Sequence, residues 1–184
     1  SVPFVGRVGK QEIIGCYKTE ASADEEIKKR QRMYNKDIVI CDIDGTISKV
    51  GEREKYAKAG DWEKFYADDF HDEPIVEVCN LVETLLDKEY EVVFITRRST
   101  QCRQKTENWL RRNIHSKNLQ FAALYMPDDE NLADNTVIKP ELLDKFLLYS
   151  GRKMEDIAFA LEDDAAMVNK WVEMGITCLN IRCK

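Results

Sequence analysis

The chain lacks long apolar runs. None of its 184 residues fall in a stretch approaching the roughly 20 apolar residues that a membrane-spanning helix needs. Ser1 to Lys18 mixes charge with glycine and shows no signal-peptide pattern. No internal repeat or low-complexity tract is present. These absences exclude a transmembrane protein and a repeat array, and we expect a cytoplasmic protein with no membrane partner.

Zinc-binding and disulfide patterns are also missing. The six cysteines lie far apart, without a CxxC pair, at positions 16, 41, 79, 102, 178 and 183. The two histidines, His71 and His115, are distant from each other in sequence. We therefore expect reduced core thiols rather than a disulfide framework or a zinc site.

Charge is distributed unevenly along the chain. With 43% apolar and 34% charged residues, the composition is that of a globular protein with a sizeable core. Residues 1–36 contain eight Lys/Arg and five Asp/Glu, whereas residues 37–184 contain 20 and 29. An acidic body argues against tight nonspecific clamping of a nucleic-acid backbone, but it is compatible with a short nucleic-acid end or a mononucleotide.

Residues 1–36 differ in character from the rest. Three glycines among mixed residues precede a charged, helix-prone run over residues 23–34. This pattern predicts an N-terminal extension, either a solvated helix or partly disordered arm, or a linker that docks a partner or a fused domain. The remaining residues, 37–184, are predicted to form one domain of unknown oligomeric state.

From residue 37 onward, short apolar segments alternate with amphipathic ones. This alternation is typical of an α/β fold with a doubly wound, mainly parallel sheet. The predicted strands are 37–41, 91–95, 119–125, 156–161 and 177–181. The first predicted helix begins at Pro74, and the other three cover residues 103–114, 139–149 and 165–174.

Two acids follow the first of these strands. Asp42 and Asp44 stand one residue apart in the string DIDGT, directly after an apolar run. At the carboxyl end of a parallel strand both side chains can turn toward one crevice. Such a pair suits a reaction that uses one attacking carboxylate, one proton carrier and a divalent cation between them.

Polar residues also follow other predicted strands or open a helix. Thr96 follows an apolar strand, Lys139 opens a helix, and Glu162, Asp163 and Asp164 follow a further strand. Each signal is weak alone, since strand-end threonines and single lysines are common. Because a parallel sheet brings these positions together, the combination is strong.

In these residues the chain resembles the haloacid dehalogenase (HAD) superfamily of phosphotransferases over residues 37–184. The resemblance implies a Rossmann-like fold with a small or absent cap. It implies that Asp42 attacks a phosphoryl group, that Asp44 protonates the leaving oxygen and then activates water, and that Thr96 and Lys139 stabilise the transferring group.

The resemblance also implies a Mg²⁺ cofactor. Its expected ligands are the Asp42 carboxylate, the Asp44 backbone carbonyl and the acidic cluster, in which Asp163 ranks first and Glu162 second. Asp164 ranks third, and a helix N-cap is its alternative role.

Within the superfamily the chain is most similar to the phosphatase domain of phage-type polynucleotide kinase-phosphatases. Four local features carry this similarity, namely DEP at 72–74, YEVV at 90–93, Trp109, and WVEMGITC at 171–178. That group removes 3′ phosphates from nucleic-acid ends or nucleotides. Arg98 matches a family arginine, whereas Arg97 replaces the usual glycine. Arg98, Arg97 and Thr46 are the predicted substrate-binding residues.

Alternative functions remain open at this level. The chain is predicted to be a nucleic-acid 3′-phosphatase, but a nucleoside monophosphatase or another small-ester phosphatase fits the same motifs. Glu162 and Arg97 depart from the family pattern, which also allows a binding or regulatory module with weak turnover. The aromatic stretch Trp62, Phe65, Tyr66 and Phe70 is compatible with base stacking or with a helix packed on the core.

Overall fold

The computed structural model describes part of the chain, and the chain divides into two units, Ser1–Asp37 and Ile38–Lys184. The described residues are 2–8, 11–17, 36–53, 55–56, 59–61, 64–65, 72–128 and 134–182, with backbone alone in the first two ranges. In the first unit, β1 (Val2–Val8) and β2 (Gln11–Tyr17) form an antiparallel pair. These strands were not predicted, and the predicted helical run at 23–34 lies outside the described residues.

The second unit is built on a five-stranded parallel sheet. Its strands are β3 (Ile38–Cys41), β4 (Glu91–Ile95), β5 (Ala123–Tyr125), β6 (Ile157–Glu162) and β7 (Cys178–Asn180). Their order is β5-β4-β3-β6-β7, and every neighbouring pair is parallel. The predicted α/β class with a doubly wound parallel sheet is confirmed.

Helices cover both faces of this sheet. They are α1 (Val76–Asp87), α2 (Arg103–Asn113), α3 (Asn135–Ser150) and α4 (Ala165–Glu173). Strand side chains alternate between faces, so Val39 packs with α1 and α2 while Ile38 and Ile40 pack with α3 and α4. Burial of both sheet faces explains why β3 and β4 are almost uniformly apolar in sequence.

Two predicted elements differ from the observed ones by more than two residues at one end. The predicted strand 119–125 is shorter, because Lys117–Phe121 forms a 3₁₀ turn and only three residues pair with β4. Helix α3 begins at Asn135 rather than near 139, where the Asp134 side chain accepts a hydrogen bond from Thr136 N. Lys139 therefore lies in the second turn of the helix instead of opening it.

The described thiols agree with the expectation of reduced cysteines. Cys41, Cys79, Cys102 and Cys178 are free thiols, and the first three are buried. Across the described helices, none combines the length and the apolar character that a bilayer crossing requires.

Candidate active site

Asp42 lies at the centre of a buried cluster at the carboxyl end of β3. Its backbone N donates to Leu161 O at 3.1 Å, which continues the pairing of β3 with β6 by one residue. Lys139 Nζ donates to its Oδ1 at 2.8 Å, and Thr46 Oγ1 donates to its Oδ2 at 3.3 Å. With 5% of its surface exposed, Asp42 is fixed by these contacts in one orientation.

Lys139 joins two carboxylates from different strands. Its Nζ also donates to Glu162 Oε2 at 2.6 Å, and the side chain is buried. Burial opposes its charge, but Asp42 and Glu162 outweigh that effect and raise the pKa of Lys139 above its ordinary value. The ammonium group therefore stays charged at neutral pH.

The three consecutive acids after β6 have different surroundings. Glu162 is buried, and its Oε1 accepts hydrogen bonds from the backbone N of Asp163 and of Asp164. Asp163 is half-buried, and its Oδ1 accepts from Thr46 Oγ1 at 3.1 Å. Asp164 caps α4 by accepting from Ala166 N at 2.9 Å, which confirms the alternative role predicted for it.

Gly45 allows Asp163 to approach the DIDGT loop. Its φ is +88°, a conformation that side chains rarely adopt. A Cβ at this position would lie 2.1 Å from Asp163 Oδ2, closer than any non-bonded contact allows. The glycine is thus required twice, for the turn itself and for the carboxylate beside it.

Three carboxylates of this cluster are placed to hold a cation. Oxygen atoms of Asp42, Glu162 and Asp163 lie within 4.8 Å of one another. Burial raises the pKa of Asp42, and the nearby Asp44 adds to this effect. Burial and repulsion by neighbouring carboxylates raise the pKa of Glu162 to about 8 and that of Asp163 to about 6. A divalent cation would relieve this repulsion, and an all-oxygen donor set is what Mg²⁺ prefers. The residues therefore fit the expected cofactor.

Asp44 is held by two arginines. Arg98 donates to both carboxylate oxygens, through Nε at 2.9 Å and Nη2 at 2.7 Å, and Arg53 Nη2 donates to Oδ1 at 3.0 Å. Burial would favour the neutral acid, but the two guanidinium groups prevail and lower the pKa of Asp44. Asp44 is therefore ionised while both arginines remain on it.

Asp72 accepts hydrogen bonds from the same two arginines. Its carboxylate accepts from Arg53 Nε at 2.9 Å and from Arg98 Nη2 at 3.3 Å. The Asp72 carbonyl accepts from Trp109 Nε1 at 2.8 Å, which ties the network to α2. Arg53 also stacks on Phe65, with 4.5 Å between the guanidinium carbon and the ring centroid.

Thr96 lies on the neighbouring strand end, where its backbone N donates to Tyr125 O at 3.2 Å. Its Oγ1 accepts from Arg98 N at 3.2 Å, so the hydroxyl proton is available for another acceptor. The side chain is buried.

The predicted substrate-binding residues have mixed placements. Arg98 is fully buried against Asp44, Asp72 and Thr106, and Thr46 is fully buried against carboxylates. Arg97 is half-buried, and it is close enough to Asp134 to help lower the pKa of that acid, after the hydrogen bonds from Thr136. Substrate contact by these three residues stays a prediction.

Arg53 and Asp72 were missed by sequence reasoning. Asp72 was visible only as part of the string DEP, and Arg53 lies in a polar segment without a motif. Of the predicted aromatic stretch, Phe65 is buried, as the core-packing alternative expects, and the other three residues lie outside the described ranges.

A parallel α/β sheet, with an aspartate pair, a threonine, a lysine and an acidic cluster at its carboxyl edge, defines a phosphatase of the HAD type. The family model described as the polynucleotide kinase PNKP phosphatase domain matches residues 36–183. The chain therefore belongs to the PNKP phosphatase domain family.

The individual relatives share a quarter or less of their aligned residues with this chain, and they are longer than it. A protein of Autographa californica nuclear polyhedrosis virus, named "Putative bifunctional polynucleotide kinase/RNA ligase", is 25% identical over 145 residues, which cover 78% of this chain and 19% of that protein. A chain in the solved structure of the Pnkp1/Rnl/Hen1 complex is 24% identical, with a TM-score of 0.58, and covers 78% of this chain and 45% of its own length. A second structure, of the Pnkp1/Rnl/Hen1 RNA repair complex, gives 23% identity and a TM-score of 0.57, covering 78% and 42%. The chain thus spans less than half the length of these relatives.

Proposed function

We propose that the chain is a Mg²⁺-dependent phosphomonoesterase that removes 3′ phosphates from nucleic-acid ends through an aspartyl phosphate on Asp42. The observation that carries this proposal is the buried Asp42 carboxylate, held between Lys139 and Thr46 and beside Asp163. A carboxylate fixed in this way has lost most of its freedom to rotate, so it meets a phosphoryl group already oriented for attack.

In the first half-reaction an Asp42 oxygen bonds to phosphorus while the bond from phosphorus to the leaving oxygen breaks. Lys139, which contacts Asp42, offsets charge on the attacking carboxylate and on the phosphoryl oxygens. The Thr96 hydroxyl, whose oxygen already accepts from Arg98 N, donates its proton to a phosphoryl oxygen. The second half-reaction is attack by water, which releases phosphate and restores Asp42.

Asp44 carries the proton in both halves. It must be protonated to donate to the leaving oxygen, yet Arg53 and Arg98 hold its pKa low. A phosphoryl group competes for these cations, and weakening their contact with Asp44 raises the pKa of its carboxyl. The arginines thus couple substrate entry to proton uptake, and in the second half Asp44 takes a proton from water.

Asp163 and Asp42 are the proposed carboxylate ligands for Mg²⁺. Glu162 uses one oxygen on Lys139 and the other on two backbone N–H groups, so it supports the site mainly through hydrogen bonds. Bound Mg²⁺ supplies charge neutralisation for the phosphoryl group, which lowers the barrier to attack by an anion.

Family membership and the relatives favour nucleic-acid ends as substrate. The relatives' names refer to polynucleotide kinase, RNA ligase and RNA repair. Because those proteins are much longer, their substrates and assemblies are extended to this chain only as part of the proposal.

The test is phosphate release from 3′-phosphorylated oligonucleotides, 3′- and 5′-mononucleotides and sugar phosphates, with Mg²⁺ or with a chelator. We expect the 3′-phosphorylated oligonucleotide to be preferred and activity to disappear with the chelator. Asp42→Asn should abolish turnover, and acid quenching during turnover of a labelled substrate should leave phosphate on the wild-type protein alone. A clear preference for sugar phosphates would overturn the nucleic-acid assignment.

Asp163→Asn and Asp164→Asn form a matched pair for the metal assignment. The first variant should lower Mg²⁺-dependent turnover about 100-fold or more, since metal ligation needs its charge. The second should retain turnover, because asparagine caps helices as well as aspartate does. Equal losses would contradict the choice of Asp163.

A further inference from the structure

One segment next to the active site reverses the charge of the acidic body. Residues 97–117 contain seven Lys/Arg and a single acid, Glu107. The rest of residues 37–184 contains 13 Lys/Arg and 28 Asp/Glu. Arg98 is fully buried against Asp44 and Asp72, which leaves six of these seven cations for the surface. A local basic excess of this kind within an acidic unit suits a polyanion.

The cations of α2 lie on two sides of the helix. Arg103 and Arg111 share one side with Glu107, as expected for residues four and eight positions apart. Lys105 and Arg112 are exposed but lie away from the groove described next. The helix therefore carries two cations and one acid on its groove side, and two cations on its opposite side.

A groove of about 750 Å³ runs between α2 and the β5 edge of the sheet. Its rim carries the three cations Arg103, Arg111 and Lys117, with Glu107 among them. Its floor is apolar and includes Leu119, Ala122 and Leu124. The volume is in the range of sites that hold small organic ligands, and an apolar floor with a cationic rim suits bases below and phosphates above.

The groove is connected to the active site through two consecutive residues of β5. Arg103 Nη1 donates to Leu124 O at 3.2 Å, and the adjacent Tyr125 O accepts from Thr96 N. The upper end of the groove therefore adjoins the strand end that carries Thr96. From Arg103 to Arg111 the rim extends about 12 Å, at 1.5 Å per helical residue.

We propose that this groove binds the single-stranded nucleic acid leading to the 3′ phosphate, with Arg111 and Lys117 contacting its backbone. The proposal rests on the proposed function for the direction of the strand. Binding in this groove explains how an acidic domain can bind a polymeric substrate. The phosphates contact the cations of the groove rim, while the remaining acidic surface repels them. An acidic peptide is the competing occupant, and the continuity with Thr96 favours the nucleic acid.

The test compares two double variants that remove the same charge. Arg111→Gln with Lys117→Gln alters the groove side, and Lys105→Gln with Arg112→Gln alters the opposite side. Arg111 and Arg112 both lie in the last turn of α2, so the cost to the helix is matched. Binding of a fluorescent single-stranded oligonucleotide of about 12 nucleotides is followed by anisotropy in chelator, without turnover, at several salt concentrations.

The groove variant should weaken binding about tenfold and reduce the slope of log K against log salt by about 1.4, since each single-strand phosphate contact contributes about 0.7. The opposite-side variant should bind as the wild type does. With Mg²⁺, the groove variant should also lose the gain in kcat/KM from a 3′-mononucleotide to the oligonucleotide while hydrolysing the mononucleotide normally.

Equal weakening by both variants would overturn the proposal, because diffuse charge would then explain binding. Wild-type protein that binds polyglutamate as tightly as the oligonucleotide would also overturn it, in favour of an acidic protein partner. If groove-dependent binding holds but no 3′ phosphate is hydrolysed, the groove proposal stands and the proposed function fails.

Discussion

At the scale of single residues, Gly45 controls the geometry of the acidic cluster. Gly45→Ala combines a left-handed backbone, which costs about 1–2 kcal/mol for other residues, with a clash at Asp163 Oδ2. We expect Mg²⁺-dependent turnover to fall about 100-fold, because displacements near 1 Å have effects of that order. Steady-state kinetics and urea unfolding measure the two effects separately.

Gly51→Ala is the control for this change. Its φ is +55°, but no atom of the described residues lies within 4 Å of the added Cβ. A similar loss of stability with unchanged turnover is expected, since only the backbone conformation is affected. Equal loss of turnover in both variants would show that the clash with Asp163 is not the cause of the loss.

Glu162 gives the unfolding free energy a pH dependence. Burial raises its pKa from 4.5 to about 8, so between these values the folded protein holds a proton that the unfolded chain has released. Stability of the metal-free protein should therefore fall as pH rises through this window. Asp42 and Asp163 act in the same direction, whereas the lowered pKa of Asp44 acts only below 3.8.

Urea unfolding in chelator from pH 5 to 8 measures this slope. Glu162→Gln should flatten it, because the titrating group is removed. Mg²⁺ should stabilise the protein more at pH 8 than at pH 5, since ligation requires ionised carboxylates. Stability that rises with pH in chelator would show that the pKa values of these acids are not raised in the folded protein.

Residues that follow strands could be predicted from sequence, and residues placed by loops could not. Asp42, Thr96 and Glu162 lie at one edge of the sheet because parallel strands end there. The apolar pattern alone predicts this arrangement. Arg53 and Asp72 meet through connections whose path no periodicity specifies. The contact of Arg98 with Asp44 likewise depends on side-chain direction, which the string TRR does not encode.

At the scale of elements, α2 supports the site through Trp109. Trp109→Phe keeps an aromatic ring but removes the hydrogen bond to Asp72 O. We expect it to be about 1 kcal/mol more destabilising than the same change at Trp171, and to lower kcat, because a partly buried carbonyl loses its donor and the arginine network loosens. Urea unfolding and phosphate release provide the measurements.

Trp171→Phe is the control for Trp109→Phe, because it makes the same substitution at another buried tryptophan. Trp171 is fully buried on the other sheet face, and its Nε1 has no hydrogen-bond partner within the described part of the chain. Only packing is lost there, so kcat should be unaffected. Comparable kcat losses in the two variants would contradict the role of Trp109.

Helices and strands could be predicted where burial imposes a periodic pattern of apolar residues. Their boundaries could not. Helices α2 and α4 lie within one residue of their predicted ends. Residues 119–122 are apolar enough for a strand, but β5 pairs only from Ala123, and the preceding residues turn instead. Strands β1 and β2 were missed because their glycines and charges break the alternation that marks a strand.

At the scale of the whole molecule, the described site residues all belong to the second unit. A chain starting at Lys36 should keep the unfolding midpoint and the turnover of the full chain on a small phosphate ester, because the sheet and both cores lie within residues 38–184. Thermal unfolding and p-nitrophenyl phosphate hydrolysis check this. Loss of folding on truncation would show that residues 1–35 contribute to the core.

The order of residues along the chain also divides the proposed catalytic groups between two halves. Asp42, Asp44 and Thr96 precede residue 128, whereas Lys139, Glu162 and Asp163 follow residue 134. Central pairing of β3 with β6 joins the halves through a buried, apolar seam. Two polypeptides separated between these points would each be inert, and phosphate release would begin only when they reassemble. The domain thus has the layout of a split-enzyme reporter.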